Sequence, residues 1–387
     1  MECTLYLTDD CNLRCKYCYE GDRKNKSYMT ESTLEKCLAF IVENNMPNDN
    51  IDLLLLGGEP LMNKQILFKV VDIINQKYMK IKELFQLQIT TNGILLDPKT
   101  VSFLVENQVM TSISIDGDRE THNLNRHSVN GKDVYDIIMK NMFYMLENNV
   151  DFAVRMTVTT NNVHLLYKNV LYFYDMGVKK INIGLDQMSK WSEEQINEYD
   201  QQLTQLDEFY LNTLIKNDDC ILNLYDYKIS TFVYKRMPSY CSAGSTNHLI
   251  INSKGEFFPC GFVSNQKPWN MGSVTTQFDR KKFISTARCN VKKCSSCKQC
   301  DIAFTCSGAK CGFLNYKMTG FLNQHHENIC RLQRILYNHN YKVIKELYQN
   351  YNKRVMNFIE LAFSHKTPLS TYMLDIMRSV EQEREVI

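Results

Sequence analysis

The chain has 387 residues, with 45 Lys and Arg against 43 Asp and Glu and a formal net charge of +2. That near-balance gives no long-range field for nucleic acid or an anionic membrane surface, and no apolar run approaches the roughly 20 residues needed to span a bilayer. The length predicts two or three folding units, and the opening MECTLYLTDD lacks the basic, apolar and cleavage segments of an export signal, so a cytoplasmic protein is expected.

In chain order, short apolar runs alternate with longer amphipathic ones. Strands are expected at 4–7, 52–56, 87–90, 112–115, 152–158 and 181–185, with helices near 31–44, 64–79, 98–107, 133–148, 164–175 and 193–215. The run Leu53, Leu54, Leu55, Leu56 suits a parallel strand buried on both faces. Repeated strand–helix units predict an α/β layer, closed or partly closed. A boundary is expected near Asn217, Asp218 and Asp219. Residues 241–330 then carry many cysteines and few long helices, the character of a small unit held by metal. From Tyr341 a helix is expected, its stripe running through Ile344, Leu347, Tyr348, Tyr351, Val355, Phe358, Ile359 and Ala362, with Pro368 as its limit. The expected division is 1–216, 217–335 and a helical tail at 336–387.

The polar signals each follow a strand. Cys11, Cys15 and Cys18 come after the first, Gly57-Gly58-Glu59-Pro60 after the second, Thr91-Asn92-Gly93 after the third and Asp116-Gly117 after the fourth. Parallel α/β architectures gather ligands at the carboxyl ends of their strands, so four loops are expected to meet at one site.

Fifteen cysteines without an export signal read as metal ligands before disulfides. Cys3, Cys37 and Cys220 stand isolated and are expected in the core. The C-x3-C-x2-C spacing of Cys11, Cys15 and Cys18 offers three thiolates on one short loop, enough for three corners of an iron–sulfur cube with the fourth iron open. A structural zinc site, the bland alternative, wants four ligands.

This loop, with Tyr17 just before its third cysteine, resembles that of the radical S-adenosylmethionine enzymes. The resemblance implies that residues 1–190 form a partial (β/α)6 TIM-like barrel and that Cys11, Cys15 and Cys18 hold a [4Fe-4S] cluster. The open iron would be chelated by S-adenosyl-L-methionine, whose reductive cleavage gives a 5′-deoxyadenosyl radical. Gly57, Gly58 and Glu59 resemble the segment that meets the methionyl amino group, although a plain turn would use the same residues. Ser114 and Arg126 match positions that contact the ribose and the carboxylate; the bland reading of Arg126 is a solvated loop charge. Asn92 reads equally as cofactor contact or turn residue, while Tyr17 and Tyr19 would pack on adenine or shield the cluster. No catalytic side chain is assigned.

The later cysteines run Cys241-x13-Gly255-x4-Cys260, then Cys297-x2-Cys300-x5-Cys306, Cys311 and Cys330. This resembles the SPASM domain, a small cysteine-rich domain with two auxiliary clusters, here followed by C-terminal helices. Four residues rather than three separate Cys306 from Cys311. The resemblance gives Cys297, Cys300, Cys306 and Cys330 to an outer cluster, and Cys241, Cys260 and Cys311 to an inner one. The fourth inner position stays open among Cys289, Cys294, Cys220 and no protein ligand. Zinc knuckles at Cys294, Cys297 and Cys300 are the competing reading.

Two family groups are relevant. Anaerobic sulfatase maturases resemble one another in a QGGEP segment and an aspartate after the GX4C cysteine, where this chain has Leu56 and Gly261. The expectation is therefore a radical SAM/SPASM oxidoreductase that matures a ribosomal peptide by thioether formation, with formylglycine formation or a non-enzymatic iron–sulfur electron carrier as alternatives. Expected partners are a peptide or protein substrate such as a cysteine-rich precursor, and an electron donor such as flavodoxin or ferredoxin. With ten residues before Cys11, leader recognition is expected from a separate protein or the helical tail. The basic run Arg280, Lys281, Lys282, Lys292 and Lys293 either draws an acidic leader or is a solvated face.

Overall fold

The computed structural model describes residues 1–21, 26–213, 216, 220–234, 243, 248–276, 278, 281, 297, 299–306 and 311–385. Nine strands are present among them: β1 (Glu2–Thr8), β2 (Ile51–Gly57), β3 (Phe85–Thr91), β4 (Met110–Ser114), β5 (Phe152–Val158), β6 (Lys180–Leu185), β7 (Ile221–Leu222), β8 (His248–Ile251) and β9 (Phe257–Phe258). The chain forms two compact units, Met1–Arg155 with Ser242–Lys292 and Met156–Cys241 with Lys293–Ile387. This division differs from the expected one, because residues after Ser242 rejoin the first unit.

In the first unit the strands lie in the order β5-β4-β3-β2-β1-β8-β9, all parallel except the last pair. Leu5 stands between Leu55 and Ile251, and Leu55 stands against Ile89. β1 is buried on both faces from Cys3 to Thr8, whereas β2 and β3 alternate buried and half-buried residues. The strand covered on both sides is therefore the first, and the leucine run beside it, expected to be so covered, has Leu54 and Leu56 only half-buried. Crossover helices occupy Glu31–Asn44, Lys64–Lys77, Pro98–Glu106 and Tyr135–Glu147. The starts of two are fixed by side-chain oxygens, Thr30 accepting from the Thr33 amide and Asp97 from the Thr100 amide. Cys3 and Cys37 are core residues, as expected.

One α-helix of the first unit was not expected. Residues Arg119–Asn125 form a short helix, capped by the Asp118 carboxylate accepting from the Thr121 amide at 2.9 Å. It buries Thr121, His122 and Asn125, and so delivers Arg126 into the interior.

The second unit pairs β6 with β7 in parallel and packs mainly helices. The expected tail helix is two, Glu327–Gln349 and Lys353–Ser364, followed by a third at Thr371–Glu385. Tyr351 adopts φ +51°, and Asn352 caps the next helix by accepting from the Arg354 amide. The first of these helices starts at Glu327 and runs through the expected boundary at 335/336. Its His339 bridges to the helix Glu193–Asn212, with Nδ1 2.7 Å from Asp207 and Nε2 3.0 Å from Asp200. Cys220 is buried here, its carbonyl accepting from Arg354 at 2.7 Å. No helix among the described residues is long and apolar enough to cross a membrane.

Candidate functional site

The site is built where β1, β2, β3 and β4 end in the first unit. Gly57 closes β2 at φ +151°, and a Cβ there would stand 2.3 Å from the Thr8 carbonyl oxygen. Only glycine lets the two chains approach this closely. The Gly58 amide then donates to Thr8 at 3.0 Å and the Glu59 amide to Asp10 at 2.9 Å. The glycine turn is thereby laid along the segment that leads into Cys11.

Glu59 is buried and has three donors. Oε1 accepts from the Leu61 amide at 3.0 Å and Thr91 Oγ1 at 2.7 Å, and Oε2 accepts from the Asn92 amide at 2.7 Å. Burial pushes its pKa up and the donors pull against that, with burial prevailing. The carboxylate thus ties the ends of β2 and β3. Asn92 has two jobs in the fold: its Oδ1 accepts from the Ile94 amide in a local turn, and its Nδ2 donates to Asn12 Oδ1 at 2.7 Å. It is a turn residue that also holds the cysteine loop.

That loop is fixed from its other side by backbone. Arg14 donates to His127 at 2.7 Å, Lys16 to Asn125 at 2.9 Å, and Val129 donates back to Asn12 at 3.1 Å. Leu13 is buried as the anchor, while Cys11 and Cys15 are half-buried and Cys18 is exposed.

Behind the loop lies a charged pair. Arg126 Nη2 donates to Asp116 Oδ1 at 3.1 Å, and Nε approaches Oδ2 at 3.1 Å as an ion pair without hydrogen-bond alignment. The Tyr17 hydroxyl reaches the same carboxylate at 2.8 and 3.0 Å, and the guanidinium carbon lies 5.3 Å from the centroid of the Tyr17 ring. Burial opposes the charge on Arg126, but Asp116, Tyr17 and Cys15 outweigh it and hold its pKa above the ordinary range. Arg126 is therefore an interior residue and no solvated loop charge. Ser114 is half-buried at the end of β4, two residues before Asp116. His122, on the short helix, was missed by sequence reading; neither ring nitrogen has a hydrogen-bond partner, and burial lowers its pKa to about 4.

The structure thus brings Cys11, Cys15, Cys18, Tyr17, Gly57, Gly58, Glu59, Asn92 and Arg126 into one hydrogen-bonded network at one sheet end. In its chemistry the donor set suits an iron–sulfur cluster, although no three such side chains among the described residues are already gathered as a metal site. Three sulfurs share a loop; the Leu13 amide points to Cys11 Sγ at 3.4 Å, and the guanidinium of Arg126 opposes the upward push of burial on Cys15. Amide and guanidinium donors beside thiolate sulfur are what an anionic cluster needs.

The later cysteines divide. Cys260 belongs to the first unit; Cys297, Cys300, Cys306, Cys311 and Cys330 belong to the second. Cys241, Cys289, Cys294 and most of the basic run lie outside the described residues, Lys281 being the exposed exception. Gly261, beside Cys260, is enclosed: a Cβ there would stand 2.8 Å from the Tyr6 hydroxyl and 3.6 Å from that of Tyr19.

The Radical SAM superfamily model matches residues 5–164, the stretch that holds this whole network. This chain carries a radical SAM domain. It is homologous to the cysteine-type anaerobic sulfatase-maturating enzyme of Clostridium perfringens, 25% identical over 320 residues, which are 77% of this chain and 85% of that one. Among solved structures, native anSMEcpe with bound AdoMet and Kp18Cys peptide superposes with a TM-score of 0.73 at 20% identity, over 89% of this chain and 98% of that one. Streptococcus suis SuiB bound to precursor peptide SuiA gives 0.58 at 17% identity, over 85% and 75%. At these identities the likeness is one of fold. The fold of this chain is accordingly the partial α/β barrel that the resemblance implied, followed by C-terminal helices.

Proposed function

We propose that this radical SAM enzyme modifies a peptide, most specifically by joining cysteine sulfur to carbon in a ribosomally made precursor. The observation that carries the radical step is the cysteine loop, tied on one side to the Gly57–Glu59 turn and on the other to the segment ending in Arg126. When bound, a [4Fe-4S] cluster and S-adenosyl-L-methionine supply an electron and a hydrogen-abstracting 5′-deoxyadenosyl radical. Cys11, Cys15 and Cys18 are the residues that hold the cluster. The Gly57–Gly58 turn, packed by its missing Cβ against Thr8 beside the loop, is the segment assigned to the methionyl group, while Glu59 and Asn92 keep that turn and the loop in register. Ser114, half-buried at the end of β4, is read as the ribose contact. Arg126, its charge shared with Asp116, contributes positive potential behind Cys15. Cys260 and the second-unit cysteines are read as ligands of two auxiliary clusters, with flavodoxin or ferredoxin as electron source.

Peptide substrates are supported by the relatives, whose structures hold a Kp18Cys peptide and the precursor SuiA. The similarity to a sulfatase-maturating enzyme favours a second reading, formylglycine formation. Gly261 speaks against it, since the aspartate expected there is absent and a Cβ at this place would press on the Tyr6 hydroxyl at 2.8 Å.

The test uses anaerobically reconstituted full chain with S-adenosyl-L-methionine and a reductant, offered a cysteine-rich peptide encoded beside the gene and a sulfatase-derived peptide. Thioether formation removes hydrogens in pairs and leaves a mass insensitive to thiol reduction; formylglycine is trapped by a hydrazide. 5′-Deoxyadenosine that appears with wild type and vanishes in Cys15→Ala supports the radical step. Its absence from wild type would favour an electron carrier.

A further inference from the structure

In the second unit, two of the cysteines read as outer-cluster ligands, Cys300 and Cys330, sit beside a charged pair that the radical chemistry does not use. Arg334 lies one helical turn after Cys330 on the helix Glu327–Gln349, so the two side chains share a face. Its Nη2 reaches Cys300 Sγ at 3.9 Å, and its guanidinium is held in a fork by Asp301, Nη1 to Oδ2 at 2.9 Å and Nη2 to Oδ1 at 2.6 Å. Asp301 follows Cys300 directly, with Oδ1 3.8 Å from its sulfur. The Asp301 segment is itself fastened, because the Tyr372 hydroxyl donates to the Asp301 carbonyl and the Tyr372 ring stacks on Phe304 at 3.7 Å. One cation and one anion are thus placed at the same sulfur, in a geometry fixed from two helices.

We propose that Arg334, oriented by Asp301, sets the reduction potential of the outer auxiliary cluster. This rests on the reading that Cys297, Cys300, Cys306 and Cys330 hold such a cluster. One-electron reduction adds a negative charge to the cluster and its sulfurs. An N–H donor and a positive charge at Cys300 stabilise that state and raise the potential; a carboxylate at the same sulfur lowers it. Arginine suits the task because it keeps its charge at every working pH and its planar fork fixes direction. His325 also approaches a ligand sulfur, 4.0 Å from Cys297, but carries no permanent charge. Arg334 and Asp301 are each about half-exposed, 49% and 63% for the side chains, and an ion pair that open adds little to folding. Replacing either residue therefore leaves the fold in place.

The experiment is an EPR-monitored redox titration of the full chain, reconstituted anaerobically, with the outer-cluster signal identified by its loss in Cys330→Ala. Arg334→Gln shifts that midpoint downward, Asp301→Asn shifts it upward, and Arg334→Lys falls between wild type and Arg334→Gln. Iron content equal to wild type in every variant shows that the cluster is intact. Midpoints that do not move, or that move in one direction for both charge removals, overturn the role of Arg334 and leave the cluster reading standing. A wild-type protein with iron for the first cluster alone and no signal sensitive to Cys330→Ala overturns the cluster reading, and the proposal with it.

Discussion

Arg126 and Asp116 form an ion pair in the interior of the first unit, with side chains 7% and 0% exposed and two contacts of 3.1 Å. Removing one partner from such a pair strips a buried charge of its counter-ion, which costs about 3–5 kcal/mol even where a donor such as the Tyr17 hydroxyl stays on the Asp116 carboxylate, whereas an apolar replacement of both costs far less. Arg126→Met is therefore expected to destabilise the protein by about that amount. Arg126→Met with Asp116→Leu recovers a substantial part of it. Denaturant unfolding of the four proteins in a double-mutant cycle measures the coupling, and strict additivity would show that the pair contributes nothing.

Gly57 carries a second expectation. Alanine there brings a Cβ to 2.3 Å from the Thr8 carbonyl in a backbone conformation that L-residues rarely adopt. Strain of this kind costs on the order of 1–3 kcal/mol, and the clash adds to it. Since Gly58 and Glu59 are hung from Thr8 and Asp10, the turn moves away from the cysteine loop. Gly57→Ala should lower the unfolding midpoint and weaken S-adenosyl-L-methionine binding in calorimetry. Gly184→Ala, at a glycine of β6 where a Cβ would meet only the Met156 carbonyl oxygen at 3.9 Å, should leave binding unchanged.

A third concerns pH. Burial alone would lower the pKa of His339, but Asp207 and Asp200 outweigh it and hold it above its ordinary value of 6.5. Tyr225 also donates to Asp207 at 2.7 Å, and Lys342 stands 3.8 Å from that carboxylate. A folded-state pKa above the unfolded one means a contribution fully present below about pH 6.5 and lost as pH rises through the folded value. Amide exchange in helices Glu193–Asn212 and Glu327–Gln349 should quicken across that range. His339→Gln should remove this pH dependence, and an unchanged slope would refute the assignment.

Much of the fold could be read from the chain because its signals are local. Apolar runs followed by Gly, Asn or Asp mark the strand ends, and those ends are where the cysteine loop, Gly57, Asn92 and Asp116 meet. What could not be read depends on distant partners. Nothing beside Glu59 announces that Thr91 and Asn92 will occupy its carboxylate, and Asp116-Gly117 looks like a turn until Arg126 arrives. The helix Arg119–Asn125 is too short and polar to show a period. The tail stripe continues across Tyr351, so periodicity alone missed the break at its positive φ. β8 has four residues, and its partner β1 lies more than two hundred positions earlier. No local pattern could have returned residues 248–258 to the first unit.

Gly261 supplies the last expectation, and it bears on which chemistry the enzyme performs. The Tyr6 and Tyr19 hydroxyls stand 3.4 Å apart, and Tyr6 is buried. A Cβ at Gly261 would press to 2.8 Å on the first of them. Gly261→Asp would restore the residue type expected at this place in a sulfatase maturase, but its carboxylate meets the tyrosine pair instead of open space. The substitution should therefore lower the melting temperature, and overpacking of this kind costs typically about 1–3 kcal/mol. Adding Tyr6→Phe removes the hydroxyl in the way and should recover part of the loss, so the two changes should be non-additive by differential scanning calorimetry. Neither variant should yield formylglycine on a sulfatase-derived peptide. Aldehyde trapped from Gly261→Asp alone, with stability unchanged, would show that the pocket tolerates a carboxylate and would bring the sulfatase reading forward.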